Sequence, residues 1–213
     1  MVILYTAKNG EYTSLEGQSN IKDNVYVNLT NRCPAACTFC LRNTKEMAES
    51  NSLWLKREPT REEVISEFDK YDLSKCNEII FCGFGEPMER VYDIVEIASY
   101  IKNKYKDMHI RMNTNGLANL VHGKDITPLL KDCIDTVSIS LNASNAEEYY
   151  KITRNKFGIG SYDEMLKFAV ECKKYVPNVV MTVVDCIGEE EIEACRKVCE
   201  KIGLPLRVRP FEE

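Results

Sequence analysis

Cys33, Cys37 and Cys40 stand in one short loop, Asn31-Arg32-Cys33-Pro34-Ala35-Ala36-Cys37-Thr38-Phe39-Cys40, spaced C-x3-C-x2-C. Three thiolates from one tight loop can cap three irons of a [4Fe-4S] cube and leave the fourth iron open to an exchangeable ligand. Ferredoxin clusters take four cysteine ligands and structural zinc sites close with four protein ligands, yet no fourth Cys or His lies near this loop. Two plainer readings compete: cysteines that are buried or metal-free, and a zinc site completed by the distant Cys82 or His109. Three cysteines in one loop beside Pro34 favour the cluster, because core cysteines rarely recur so densely.

Further polar residues punctuate the ends of apolar runs. Gly83-Phe84-Gly85-Glu86-Pro87 follows one run and Asn113-Thr114-Asn115-Gly116 ends another. Gly and Pro also make ordinary loops, and Asn-Gly is an ordinary turn pair, although amides can orient a carboxylate or a ribose. In Val137-Ser138-Ile139-Ser140-Leu141-Asn142, the polar residues alternate, so Ser138, Ser140 and Asn142 are expected to face one side of a strand. A small-residue lining explains Ser138 better than the other two.

These residues need strands to hold them. Apolar runs predict strands at Val25 to Thr30, Glu78 to Cys82, His109 to Thr114, Thr136 to Leu141, Val179 to Asp185 and Leu206 to Arg209. Helical periodicity predicts Thr60 to Tyr71, Arg90 to Tyr105, Asp125 to Lys131, Tyr162 to Tyr175 and Glu189 to Ile202, with a further short helix opening at Ser144-Asn145-Ala146-Glu147-Glu148. Thr60 with Glu63 reads as a capping box, and Gly203 followed by Pro205 reads as a helix stop. Six βα units imply an α/β fold with a parallel sheet, in which chemistry gathers at the carboxyl ends of the strands.

At 213 residues and 44% hydrophobic content, the chain can bury the core of one domain. With 28 basic and 33 acidic residues, no global attraction to nucleic acid is expected. No apolar run approaches the ~18 residues of a membrane span, so neither export nor insertion is expected and the setting is read as cytoplasmic. There, ten cysteines point to metal or chemistry rather than disulfides. Cys186, Cys195 and Cys199 raise the idea of a second cluster, but Ile192, Cys195, Val198, Cys199 and Ile202 form one apolar helix stripe and read as core. His109 and His122 receive no role.

The cysteine spacing, with Phe39 before the last cysteine, resembles the signature of the radical S-adenosylmethionine (SAM) enzymes, and the six units match their open (β/α)6 partial TIM barrel. The likeness covers about residues 25–211 of a single domain 1–213, with 1–24 as a short N-terminal extension. Tyr26-Val27-Asn28-Leu29-Thr30-Asn31-Arg32-Cys33-Pro34 and Thr182-Val183-Val184-Asp185 most resemble the small TatD-associated members. The resemblance implies an oxygen-sensitive enzyme with one [4Fe-4S] cluster on Cys33, Cys37 and Cys40. Its open iron binds SAM, which is reductively cleaved to a 5'-deoxyadenosyl radical that abstracts hydrogen from an unknown substrate.

The same resemblance implies SAM contacts at Gly85 and Glu86, Glu86 accepting from the SAM ammonium, with Gly83 a weaker candidate because Phe84 separates the glycines. It further implies contacts at Asn115, Ser140, Asn142 and, through the SAM carboxylate, Arg154. Gly188 and Glu191 fit half of an adenine motif whose first glycine is absent, and backbone near Val208 to Pro210 would also touch adenine. Implied partners are an electron donor such as a flavodoxin or ferredoxin, a TatD-family nuclease and, since little chain lies outside the core, a macromolecular substrate. A glycyl-radical-enzyme activase acting on a protein partner and a zinc- or cluster-binding adaptor are the alternatives.

Overall fold

Every second residue of the central strands is an almost fully buried aliphatic or aromatic: Ile79 and Phe81, Ile110 and Met112, Val137 and Ile139, Met181 and Val183. Side chains alternate across a pleated strand, so this pattern commits one face of a sheet to an apolar layer. A computed structural model describes residues 1–8, 10–18 and 21–211. Its strands are β1 (Leu4–Lys8), β2 (Glu11–Ser14), β3 (Val25–Val27), β4 (Glu78–Phe81), β5 (His109–Thr114), β6 (Thr136–Ser140), β7 (Asn178–Val184) and β8 (Leu206–Arg209). They form one sheet in the order β2-β1-β3-β4-β5-β6-β7-β8, whose edges do not meet. From β3 to β8 all neighbours are parallel, giving the open six-unit partial barrel expected from the sequence.

The N-terminal segment corrects the sequence reading, which has no strand before Val25. β1 and β2 form a hairpin that pairs antiparallel with β3. Tyr5 supplies the reason: its ring stacks on Tyr26 at 5.1 Å and leans on Tyr12 at 5.9 Å, and its hydroxyl donates to the Cys82 carbonyl at 3.1 Å. Cross-strand aromatic pairs of this kind stabilise a ladder that local propensity does not announce.

The helices are α1 (Leu41–Thr44), α2 (Arg61–Phe68), α3 (Val91–Lys104), α4 (Ala118–His122), α5 (Ala146–Thr153), α6 (Ser161–Cys172) and α7 (Glu189–Ile202). α3 turns Val91, Ile94, Ile97, Ala98 and Ile101 inward, and α6 turns in Met165, Phe168, Ala169 and Cys172. This three-and-four spacing is the apolar stripe that covers a sheet. Cys195 and Cys199 of α7 lie in the same core. α2 opens on the expected capping box: Thr60 Oγ1 accepts from the Glu63 N–H at 3.2 Å and Glu63 Oε2 from the Thr60 N–H at 2.8 Å.

The helix expected over Asp125 to Lys131 is instead a 3-10 turn at Thr127–Leu130, with α4 before it. Side chains explain the loss. Asp125 Oδ1 accepts from the Thr127 N–H at 2.9 Å and Asn119 Oδ1 from the Ile126 N–H at 2.9 Å, which offers the backbone a turn in place of a helix. Among the described residues all ten cysteines are free, and no helix is long and apolar enough to cross a membrane.

The opposite, inner face of the sheet mixes apolar residues such as Ile80 with a row of polar ones. Asn113 pairs with Ser138, Ser140 with Thr182, and Thr182 with Arg207, so these side chains share that face.

Candidate functional site

The cysteine loop leaves the carboxyl end of β3 and is docked on the end of α5. α5 stops at Arg154, whose φ of 47° is left-handed. The last carbonyls of a helix lack intrahelical partners, and here the loop supplies them: the Ala36 N–H donates to the Thr153 carbonyl at 2.9 Å and the Thr38 N–H to the Ile152 carbonyl at 3.0 Å. In return the Lys156 N–H donates to the Pro34 carbonyl at 2.9 Å, and Arg42 donates to the Ala35 carbonyl at 3.0 Å. The Arg154 side chain is exposed, so it is the backbone of this residue that shapes the seat of the loop.

Burial pushes the Cys33 thiol up to about 11, with Glu86 adding to the rise. Burial likewise pushes Cys37 up to about 12, with Cys33 and Cys40 adding repulsion. Buried sulfurs that resist ionisation become thiolates when a metal compensates the charge, so the donor set fits iron. A single metal ion needs its ligands to converge, and among the described residues no three His, Cys, Asp or Glu side chains do so. A cube spreads its cysteines over separate irons. His109, one candidate for a fourth zinc ligand, begins β5 and bonds Thr136 Oγ1 at 2.9 Å, at the end of the strand away from the loop.

The glycine-rich turn after β4 presses on the cysteine loop. A Cβ on Gly85 would lie 2.3 Å from the Thr30 carbonyl and 2.6 Å from that of Arg32, and one on Gly83 would lie 2.2 Å from Asn28 Oδ1. Only glycine permits that approach. The Glu86 N–H donates to the Arg32 carbonyl at 2.7 Å. The Glu86 side chain is buried, and its oxygens accept from Thr114 Oγ1 at 2.7 Å, the Met88 N–H at 3.1 Å and the Asn115 N–H at 2.7 Å. Burial pushes its carboxyl up to about 7 despite these donors. Asn115 completes the chain, its Nδ2 standing 3.8 Å from Cys33 Sγ. The carboxylate expected to meet the SAM ammonium thus already holds three protein donors.

The other expected residues sit on neighbouring strand ends. β6 ends at Ser140, and Asn142 has a left-handed φ of 63°, so the alternation expected of Ser138, Ser140 and Asn142 stops before the third. Gly188, at φ 87°, precedes α7, and Glu191 Oε1 accepts from the Ser144 N–H at 2.6 Å, tying the loops after β6 and β7 together. Between the cysteine loop and α7 lies a cleft of about 520 Å³ lined by Thr38, Phe39, Ile152, Cys186, Ile187 and Glu191, among others. That volume suits a small-molecule cofactor.

Sequence reasoning missed two groups. Glu58 binds Arg32 at 2.8 and 3.1 Å and also accepts from Thr30 Oγ1, bracing the loop entrance. Burial raises the Glu58 carboxyl, but the hydrogen bonds from Arg32 and Thr30 outweigh it and hold the group below its ordinary value. The second group is the arginines of the inner face, for which the alternation Leu206-Arg207-Val208-Arg209 was a visible signal.

A family model described as the Radical SAM superfamily matches residues 27–201. Among curated proteins, the chain is 29% identical over 191 residues to a probable GTP 3',8-cyclase of Thermococcus kodakarensis, covering 89% of this chain and 57% of that one. It is 26% identical over 179 residues to the GTP 3',8-cyclase of Lactiplantibacillus plantarum, covering 84% and 50%. The chain thus spans about half the length of the curated relatives it matches. Among solved structures, native anSMEcpe with bound AdoMet superposes with a TM-score of 0.64 at 18% identity, covering 90% of this chain and 52% of that one. Streptococcus suis SuiB bound to precursor peptide SuiA gives 0.60 at 13%, covering 91% and 40%. At such identities the likeness is one of fold.

Proposed function

Because this chain belongs to the radical SAM superfamily, we propose that Cys33, Cys37 and Cys40 hold its [4Fe-4S] cluster and that SAM binds beside it at the carboxyl ends of the strands, next to the cleft lined by Phe39 and Ile187. Enzymes of this family use both groups and need an electron donor, such as a flavodoxin or ferredoxin. When bound, cluster and SAM supply reductive cleavage to methionine and a 5'-deoxyadenosyl radical, which abstracts hydrogen from the substrate.

The residues of this chain position and shield that chemistry. The observation that carries the reading is the binding of the cysteine loop by three elements at once: the end of α5, the turn at Gly85 and Glu86, and Asn115. Glu86 acts by orienting Asn115 beside Cys33, and Gly85 by allowing the turn to close on the loop. Ser140, Asn142 and Gly188 are the contacts assigned to SAM from the adjacent strand ends, and Arg154 is assigned to the SAM carboxylate. This chain spans only about half of the relatives named as GTP 3',8-cyclases, so their reaction is a substrate hypothesis here. Membership of the TatD-associated subgroup and a nuclease partner rest on sequence motifs alone, and an activase role on the compact core alone.

The test is anaerobic reconstitution with iron and sulfide, reduction, and quantification of 5'-deoxyadenosine and methionine from SAM, with and without GTP. Deoxyadenosine formation that requires the cluster is expected. A protein that binds zinc in place of iron, or that leaves SAM intact when reduced, overturns the proposal.

A further inference from the structure

The inner face of the sheet carries a charge imbalance that SAM binding does not use. Arg111 extends from β5, and Arg207 and Arg209 share one face of β8. Their carboxylate counterpart is Glu78, which pairs with Arg111 at 3.0 Å, both side chains being about one-sixth exposed. Arg207 reaches across to β6 and donates to Ser138 Oγ at 3.3 Å. The Nε atoms of Arg111 and Arg207 are buried and have no hydrogen-bond partner among the described residues.

A buried donor without an acceptor bears its full desolvation penalty, and native structures rarely tolerate it unless ordered water or a ligand supplies the acceptor. Burial pushes the Arg207 guanidinium below its ordinary value, and Arg111 and Arg209 add repulsion. Among the described residues Glu78 is the one carboxylate ion-paired with these three guanidiniums, which leaves a surplus of two positive charges. That surplus equals the charge of a phosphate monoester dianion, whose oxygens also match the planar fork of a guanidinium. Arg209 is exposed at β8, the free edge of the sheet, so the group can be reached from solvent.

We propose that Arg111, Arg207 and Arg209, with the Ser138 hydroxyl, form a phosphoryl-binding site on the inner face of the barrel, and that the substrate carries a phosphate monoester. Calling this ligand the substrate rests on the radical SAM reading; the binding of the anion does not.

The experiment is calorimetric titration of the reconstituted full chain with glycerol 3-phosphate, and with malonate as a carboxylate dianion, at constant ionic strength. Glycerol 3-phosphate is expected to bind saturably and more tightly than malonate. Arg207→Gln should weaken it roughly tenfold to a hundredfold, the effect of losing a charge-assisted hydrogen bond. Arg209→Gln, at an exposed position, tests the site without a change in the core and should weaken binding severalfold. Absence of saturable binding, preference for malonate, or unchanged affinity in both variants overturns the site. Phosphate binding by a wild type that forms no deoxyadenosine supports the site and sinks the radical SAM reading. Deoxyadenosine formation without phosphate binding overturns the site alone.

Discussion

Asn115 donates its backbone N–H to the Glu86 carboxylate at 2.7 Å while its side chain stands 3.8 Å from Cys33 Sγ. The loops after β4 and β5 are therefore one unit, and the surroundings of Cys33 depend on a carboxylate that does not touch it.

Replacing Glu86 by Ala leaves the donors of Thr114, Met88 and Asn115 without their acceptor in a buried site. At about 1–3 kcal/mol per orphaned group, a loss of roughly 3 kcal/mol or more is expected. Denaturant unfolding of the cluster-free protein measures it, and reconstituted iron per chain should fall in step. Wild-type stability in the variant would remove Glu86 from its structural role.

The raised carboxyl of Glu86 also has a signed pH consequence. Its value moves from 4.5 to about 7 on burial. Below 4.5 it is protonated in both folded and unfolded chains; between 4.5 and about 7 the unfolded chain releases the proton first, so the native state loses stability as pH rises. Above that window the loss is complete and constant. The stability of wild type relative to Glu86→Gln should accordingly decline across it, as followed by thermal unfolding of the cluster-free proteins. A flat difference would mean that Glu86 titrates as it does in an unfolded chain.

Gly85→Ala places a Cβ 2.3 Å from the Thr30 carbonyl, a backbone atom that cannot swing aside. Overpacking of this kind destabilises by about 1–3 kcal/mol, and it should displace the cysteine loop and reduce iron incorporation. Gly160→Ala, where a Cβ meets nothing within 4 Å, serves as the control and should incorporate iron normally. Equal iron content in the two variants would refute the proposed contact.

Single replacement of Cys33, Cys37 or Cys40 by Ala should abolish both the cluster and SAM cleavage. Wild type should hold about four irons per chain, the complement of one cube. Cys195 and Cys199 are buried in the main core, so their joint replacement by Ala should lower stability and leave iron stoichiometry unchanged. A wild-type value near eight that halves in that double variant would show ligands where core was assigned.

Several features were legible in the sequence because their causes are short-range. The spacing of Cys33, Cys37 and Cys40, the capping box of Thr60 and Glu63, and α7 from Glu189 to its stop at Gly203 each depend on residues a few positions apart. The parallel strands followed from short apolar runs, and their number from the recurrence of βα units. The expected helix at Asp125 failed because the Asp125 and Asn119 side chains bond nearby N–H groups, which apolar periodicity does not register.

Tertiary structure decided what distant residues do to one another. The hairpin of β1 and β2 exists because Tyr5 stacks on Tyr26, 21 positions away. Glu86 is held by donors up to 29 positions distant, and the backbone reversal at Arg154 offers helix-end carbonyls to the cysteine loop. Arg111 and Arg207, nearly 100 positions apart, act on each other only because six parallel strands bring them to one face. Sequence patterns report which face of an element is apolar; which charges then confront each other, and which remain without a partner, is set by long-range register and burial.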